Sequence, residues 1–152
     1  SVYDSPEWSY FLEFTKAFPD LKPYRTEWRI YDEDIKLAGS IDMVYENDDG
    51  TLSIYDWKRC KEISKTNAFK KHAKTACIHY SLQLNTYKAI LERKYGKIIK
   101  DLYLVQLHEE NPRKTFELIK CADLSKEIEK LFELRRGGFM KVEEATEEDI
   151  NV

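Results

Sequence analysis

The chain has 152 residues, of which 42% are hydrophobic and 35% charged, a balance typical of a globular domain with a substantial core and not of a disordered chain. Its 25 basic and 28 acidic residues give a net charge of -3, which excludes a uniformly basic nucleic-acid-binding protein but not a local basic segment. No apolar run is long enough for a membrane span and no secretory signal is visible, so we expect an intracellular protein.

The first half of the chain predicts a helix followed by a three-stranded meander. Residues 7–18 carry apolar side chains at helical spacing, with Ser5 as the expected N-cap and Pro6 at the first helical position. Alternating apolar and polar residues predict three strands, at 26–31, 36–46 and 52–57. The Asn-Asp-Asp-Gly run at 47–50 is a strong turn signal between the second and third strands.

The second half predicts two more helices and two more strands. Residues 59–78 are polar and weakly patterned, which indicates a loop with at most one helical turn. Later patterns predict a helix at 80–95, strands at 98–108 and 115–119, and a last helix that ends near 136 and is capped by Asp123 or Ser125. We expect one domain over 1–142 and a solvated acidic tail over 143–152.

The resulting order, α-β-β-β-α-β-β-α, predicts a mixed sheet flanked by helices, an α/β fold of the α+β type.

Within this sheet, two acidic residues and one lysine are the candidate catalytic residues. Asp42 and Asp56 lie at similar distances from the 47–50 turn, so they are expected to be cross-strand neighbours. Asp56 and Lys58 are two residues apart on one strand and leave the same face. Neighbouring carboxylates favour a divalent cation such as Mg²⁺ or Mn²⁺, and an adjacent lysine can stabilise charge on a phosphate.

Three motifs in this region resemble those of a known family. Gly39 and Asp42 match a G-x-x-D motif, Asp56 and Lys58 match a D/E-x-K motif, and Gln83 with Tyr87 matches a Q-x-x-x-Y helix motif. In this order they resemble the RecB-like branch of the PD-(D/E)XK nuclease superfamily, and they are similar to nuclease domains of large DNA viruses. The resemblance implies a restriction-endonuclease-like αβββαβ core with flanking helices.

The same resemblance implies a nuclease that hydrolyses phosphodiester bonds in DNA with Mg²⁺ or Mn²⁺, as an exonuclease or a structure-directed nuclease. Its metal ligands would be Asp42, Asp56 and the backbone carbonyl of Trp57, with Glu27, or alternatively Glu13, as an additional acid. Gln83 would reach toward the substrate or the lysine, and Tyr87 would pack beside it. Some relatives hold an iron–sulfur cluster on four cysteines, whereas this chain has three scattered ones, so no cluster is expected.

A basic segment follows the third strand. It is expected to contact the phosphate backbone of DNA, although a solvated loop is the alternative interpretation; its members are Lys58, Arg59, Lys61, Lys65, Lys70, Lys71 and Lys74. A different function class stays open as well, a catalytically silent domain that binds nucleic acid or a partner protein. Flanking domains, or viral replication or repair proteins, are the expected protein partners.

Overall fold

The computed structural model describes residues 5–58, 70–107 and 115–137, without the side chains of Glu7 and of residues 70–78. The elements of this part of the chain are α1 (Pro6–Ala17), β1 (Lys22–Asp32), β2 (Leu37–Glu46), β3 (Leu52–Lys58), α2 (Lys70–Lys94), β4 (Ile99–Gln106), β5 (Glu117–Lys120) and α3 (Ser125–Arg136). The predicted element order is confirmed. Within the described ranges, no helix is both long and apolar enough to cross a membrane.

The five strands form one mixed sheet in the order β1-β2-β3-β4-β5. β1, β2 and β3 are antiparallel neighbours, β3 pairs with β4 in parallel, and β4 pairs with β5 antiparallel. A parallel pair cannot be joined by a tight turn, so the chain crosses between β3 and β4 through α2. The predicted mixed sheet with flanking helices is therefore confirmed, and it agrees with a restriction-endonuclease-like fold.

A separate hydrophobic cluster covers each face of the sheet. The first cluster contains buried residues of α2 and α3, such as Leu84 and Phe132, packed on Ile54 of β3. The second contains Phe14 of α1 packed with Tyr55 of β3. Successive side chains of a strand point to opposite faces, so β3 supplies residues to both clusters in turn. This alternation directs Asp56 and Lys58 toward α2, and Tyr55 and Trp57 toward α1.

Helix α1 packs against the end of β3 on the face of the sheet opposite to α2. The side-chain oxygen of Ser5 accepts the backbone N–H of Trp8 at 3.2 Å, which satisfies one of the unpaired donors at the helix start, and Pro6 follows as predicted. The Trp57 ring makes edge contacts with Phe11 and Phe14, at centroid distances of 5.4 and 5.3 Å. Trp57 is therefore an anchor that holds the neighbouring residues of β3 in place.

The turn between β1 and β2 is tied to both helices on the other face. Arg135 of α3 donates to the backbone carbonyls of Ile35 and Lys36, at 2.6 and 3.0 Å. Lys94 of α2 forms an ion pair with Asp34 at 2.6 Å. These contacts hold the start of β2 against the helices, which sets the position of the residues that follow along that strand.

Two predictions about helix starts were wrong. The loop predicted over 59–78 is helical from Lys70 onward, while 59–69 lie outside the described residues. Residues 70–79 contain neither Gly nor Pro, and their lysines and alanines favour helix. The helix therefore begins about ten residues before the amphipathic part that was predicted. In α3 the N-cap position is Leu124, not Asp123 or Ser125; the Asp123 carboxylate instead accepts the backbone N–H of Ser125 at 3.0 Å.

Candidate active site

The carboxyl groups of Asp42 and Asp56 meet where β2 and β3 separate. The β2–β3 ladder stops at the Met43–Tyr55 pair, and its register places Asp42 opposite Asp56 at the next position. Beyond that point, the backbone N–H of Trp57 donates to Oδ2 of the Asp42 side chain at 3.0 Å, in place of a backbone carbonyl of β2. The carboxyl group of Asp42 is close enough to that of Asp56 to raise its pKa. Asp42 and Asp56, which lie at similar distances from the 47–50 turn in the sequence, are therefore neighbours in the structure.

The Asp56 carboxyl group is in an unfavourable setting for a negative charge. The residue is 5% exposed, and burial together with the neighbouring Asp42 raises its pKa from 3.8 to about 6, against the opposing effect of Lys58. Lys58 Nζ lies 2.7 Å from Asp56 Oδ2, an ion pair whose positive charge opposes the rise in the Asp56 pKa. Two carboxylates and one ammonium leave the group with excess negative charge. A divalent cation would compensate that charge, so the donor set fits one.

The ammonium group of Lys58 is held by three neighbours from two elements. Besides Asp56, it donates to Oε1 of Gln83 at 3.3 Å. It also lies 4.4 Å from the centroid of the Tyr80 ring. Gln83 and Tyr80 are three residues apart on α2, a spacing that puts both on the same helix face, above the end of β3.

Gln83 and Tyr87 connect the lysine back to β2. The Tyr87 hydroxyl lies beside the Gln83 side chain and the backbone of Ser40, and burial raises its pKa. The Tyr87 ring lies against Gly39, where an added Cβ would be 2.3 Å from Cε1 of the ring. Gly39 is thus the residue that allows α2 to approach β2 this closely, and the three motifs form one connected group.

Neither predicted additional acid joins the pair. Glu27 lies between the Thr26–Met43 and Trp28–Ile41 pairs, hence opposite Asp42, but its side chain is exposed and its φ of 46° is a strained value for a non-glycine residue. Glu13 is exposed on α1 and accepts the Thr115 hydroxyl. In the described ranges no three His, Cys, Asp or Glu residues are grouped to hold a metal. An additional ligand from Glu27, Glu13 or the carbonyl of Trp57 stays a prediction.

A set of two carboxylates is nevertheless suited to magnesium. Mg²⁺ retains several of its waters and is commonly bound by one or two carboxylates, with the remaining positions open to substrate oxygens. Asp42 is partly buried and Asp56 nearly fully so, so Asp42 is the more accessible ligand of the pair. The chemistry that this arrangement supports is activation of an oxygen-rich ligand such as a phosphate.

Most of the predicted basic segment cannot be placed beside the site. Lys58 belongs to it, whereas Arg59, Lys61 and Lys65 lie outside the described residues. Lys70, Lys71 and Lys74 occupy the first turns of α2, where only the backbone is described. Of the cysteines, Cys60 and the Cys77 side chain fall outside the description, and Cys121 packs beside the first hydrophobic cluster.

Tyr80 is the site residue that the sequence interpretation missed. It precedes Gln83 by three residues and Tyr87 by seven, so the three share one face of α2. That spacing was visible in the sequence once Gln83 and Tyr87 had been singled out. What the sequence did not contain is the distance between the Tyr80 ring and the ammonium group of a lysine on another element.

Comparison with known proteins gives one family. A family model described as the PD-(D/E)XK nuclease superfamily matches residues 5–150. No curated protein sequence matches the chain. The matched range includes every element from α1 to α3 and all the residues of the connected group around Asp42 and Asp56.

Proposed function

The chain belongs to the PD-(D/E)XK nuclease superfamily, whose members are typically nucleases that use divalent metals, and we propose that it hydrolyses phosphodiester bonds in DNA with Mg²⁺ or Mn²⁺. The observation that carries the proposal is that Asp42 lies opposite Asp56 where β2 and β3 separate, with Lys58 Nζ 2.7 Å from the Asp56 carboxylate. A structural ion pair needs one acid for one base, and it does not need a second carboxyl group beside a nearly buried one.

Each residue of the group has a role in this proposal. Asp42 and Asp56 hold the cation, which when bound supplies a polarised phosphate and a more acidic water. Asp42 keeps its orientation through the backbone N–H of Trp57. Lys58 orients the attacking water or stabilises the charge that develops on the phosphate oxygens. Gln83 fixes the Lys58 ammonium group, and Tyr87 fixes Gln83.

Finer features of the activity are part of the same proposal. Motif order favours the RecB-like branch and nuclease domains of large DNA viruses, with exonuclease or structure-directed cleavage, an intracellular site of action and viral replication or repair proteins as partners. The basic residues from Arg59 to Lys74 would contact the phosphate backbone beside the cation. Mutation of Lys61 and Lys65 would then weaken DNA binding and flatten its dependence on salt.

Cleavage assays test the proposal with variants inside and outside the site. Linear and circular DNA, single- and double-stranded, are incubated with Mg²⁺ or Mn²⁺, and products are followed over time. We expect cleavage by the unmodified protein, and loss of at least 100-fold in the variants D56N and K58A, a size typical of removing a group that stabilises the transition state.

A matched pair provides the control. Lys120 and Asp101 form an ion pair at 3.1 Å on neighbouring strands β5 and β4, outside the group around Asp42. D101N and K120A should therefore cleave DNA at the unmodified rate. Metal-independent cleavage, or full activity of D56N and K58A, would contradict the assigned roles.

One observation favours an alternative, a catalytically silent domain that binds nucleic acid or a protein. Neither Glu27 nor Glu13 joins the two aspartates, so the group is smaller than the resemblance implied, at least among the described residues. A protein that binds DNA, binds no divalent cation and cleaves no substrate in these assays would be such a domain.

A further inference from the structure

We propose that Tyr80 is a positioning residue that holds the Lys58 ammonium group through the face of its ring. This inference rests on the proposed nuclease function. Tyr80 belongs to none of the three motifs, and its contact with Lys58 is made by the aromatic ring, whose centroid lies 4.4 Å from Nζ. A cation within about 6 Å of a ring centroid is attracted by the negative face of the ring.

The donor geometry of lysine explains why a third neighbour is useful. An ammonium group has three N–H donors and no acceptor. Asp56 at 2.7 Å and Gln83 at 3.3 Å provide two oxygen atoms, and the Tyr80 ring provides the third contact. The Lys58 side chain is 20% exposed, so its surroundings are mostly protein and the attraction to the ring is screened less than at a surface.

The need for Tyr80 follows from the charge that Asp56 carries. When a cation shares the Asp56 carboxylate, the attraction between that carboxylate and Lys58 weakens. A four-carbon lysine side chain has many rotamers, and losing its strongest partner would let the ammonium group move away. The face of the Tyr80 ring is neutral and is not a ligand for a hard divalent cation, so a metal ion bound at Asp56 would leave its contact with Lys58 in place.

The rest of Tyr80 gives the ring a fixed place. The residue is partly buried and packs against the first hydrophobic cluster, at the edge of α2 that faces β3. It shares a helix face with Gln83, so one rigid helix presents both neighbours to the lysine. The contact needs the ring and not the hydroxyl group, which makes phenylalanine a conservative replacement and leucine a disruptive one.

The first experiment compares turnover in the full chain. In saturating Mg²⁺ or Mn²⁺, Y80F should retain kcat within about twofold, whereas Y80L should lose about tenfold in kcat at nearly unchanged KM. The matched control is Y24L, because Lys97 lies 5.4 Å from the Tyr24 ring in a second cation–ring contact outside the site. Y24L should turn over at the unmodified rate. Equal losses in Y80F and Y80L, or none in Y80L, would overturn the proposal.

The second experiment needs no activity. Protons of the Lys58 side chain above the Tyr80 ring should resonate upfield of those of exposed lysines in the metal-free protein, with the signals identified by their disappearance in K58A. Y80F should preserve this upfield shift, and Y80L, where it folds, should remove it. Ordinary lysine shifts in the unmodified protein would overturn the proposal even if Y80L did not fold. A protein with the shift but without cleavage would refute the proposed function and leave the positioning contact intact.

Discussion

Replacing Asp56 with asparagine is expected to stabilise the metal-free protein at pH 8 while abolishing cleavage. Burial and the neighbouring Asp42 raise the pKa of Asp56 from 3.8 to about 6. Since one pKa unit corresponds to about 1.4 kcal/mol, a shift of about two units means that the ionised carboxyl group destabilises the folded state by about 3 kcal/mol. Asparagine has nearly the same shape and carries no charge, so the variant escapes this cost.

The pH dependence has a definite sign. Below pH 3.8, Asp56 is protonated in both the folded and the unfolded chain, and it contributes nothing to the difference between wild type and variant. Between pH 3.8 and about 6 the folded protein binds more protons, so the stability that Asp56 contributes falls as the pH rises. Above about pH 6 the full difference is present. The stability advantage of D56N should therefore grow from near zero at pH 4 to a plateau by pH 7.

Urea unfolding followed by circular dichroism, in EDTA at pH 4 to 8, measures this difference. The control is D34N, because the hydrogen bond and charge of Lys94 lower the pKa of the exposed Asp34. That contribution is fully present above the ordinary pKa of 3.8 and is lost only at lower pH, so D34N should be less stable than the wild type by a similar amount from pH 5 to 8. A D56N advantage that is absent at pH 8, or that shrinks as the pH rises from 4 to 7, would mean that the ionised Asp56 does not destabilise the folded protein.

Two further variants test the framework around the site. G39A should lower the free energy of unfolding in urea by about 1–3 kcal/mol, because the new Cβ would lie 2.3 Å from Cε1 of Tyr87. The loss should be smaller in a Y87A background, and an equal loss there would contradict the contact. N85A should lower the free energy of unfolding by about 2–4 kcal/mol, because the buried Asn85 side chain donates to the carbonyls of Ser81 and Ala122 and accepts the N–H of Leu124. Cleavage per folded molecule should be unchanged, and an N85A variant as stable as the wild type would contradict this role.

The sequence predicted the parts of the fold that depend on local pattern. The 47–50 turn and the period of two along β2 and β3 were enough to bring Asp42 opposite Asp56 and to direct Lys58 to the same face. Ser5 and Pro6 marked the start of α1 because capping is a local interaction. In each case the information lies within a few residues of the feature that it determines.

Other features depend on contacts between distant segments and could not be predicted. The start of α2 at Lys70 has no amphipathic signal, since the helix extends beyond the part that packs on the sheet. Glu27 has a left-handed backbone where β1 passes Asp42, and the side chain of this favoured additional acid is exposed. The contact of Tyr80 with Lys58 depends on how α2 crosses the end of β3.

In the proposed site, Asp42 and Asp56 hold one divalent cation between them. Calorimetric titration of the purified protein with Mn²⁺ or Mg²⁺ at pH 8 tests it without substrate, using D42N, D56N and the control D101N. We expect a single ion bound by the wild type and by D101N, and none bound at that site by D42N or D56N. Unchanged binding in both D42N and D56N, or no binding by the wild type at millimolar metal, would contradict it.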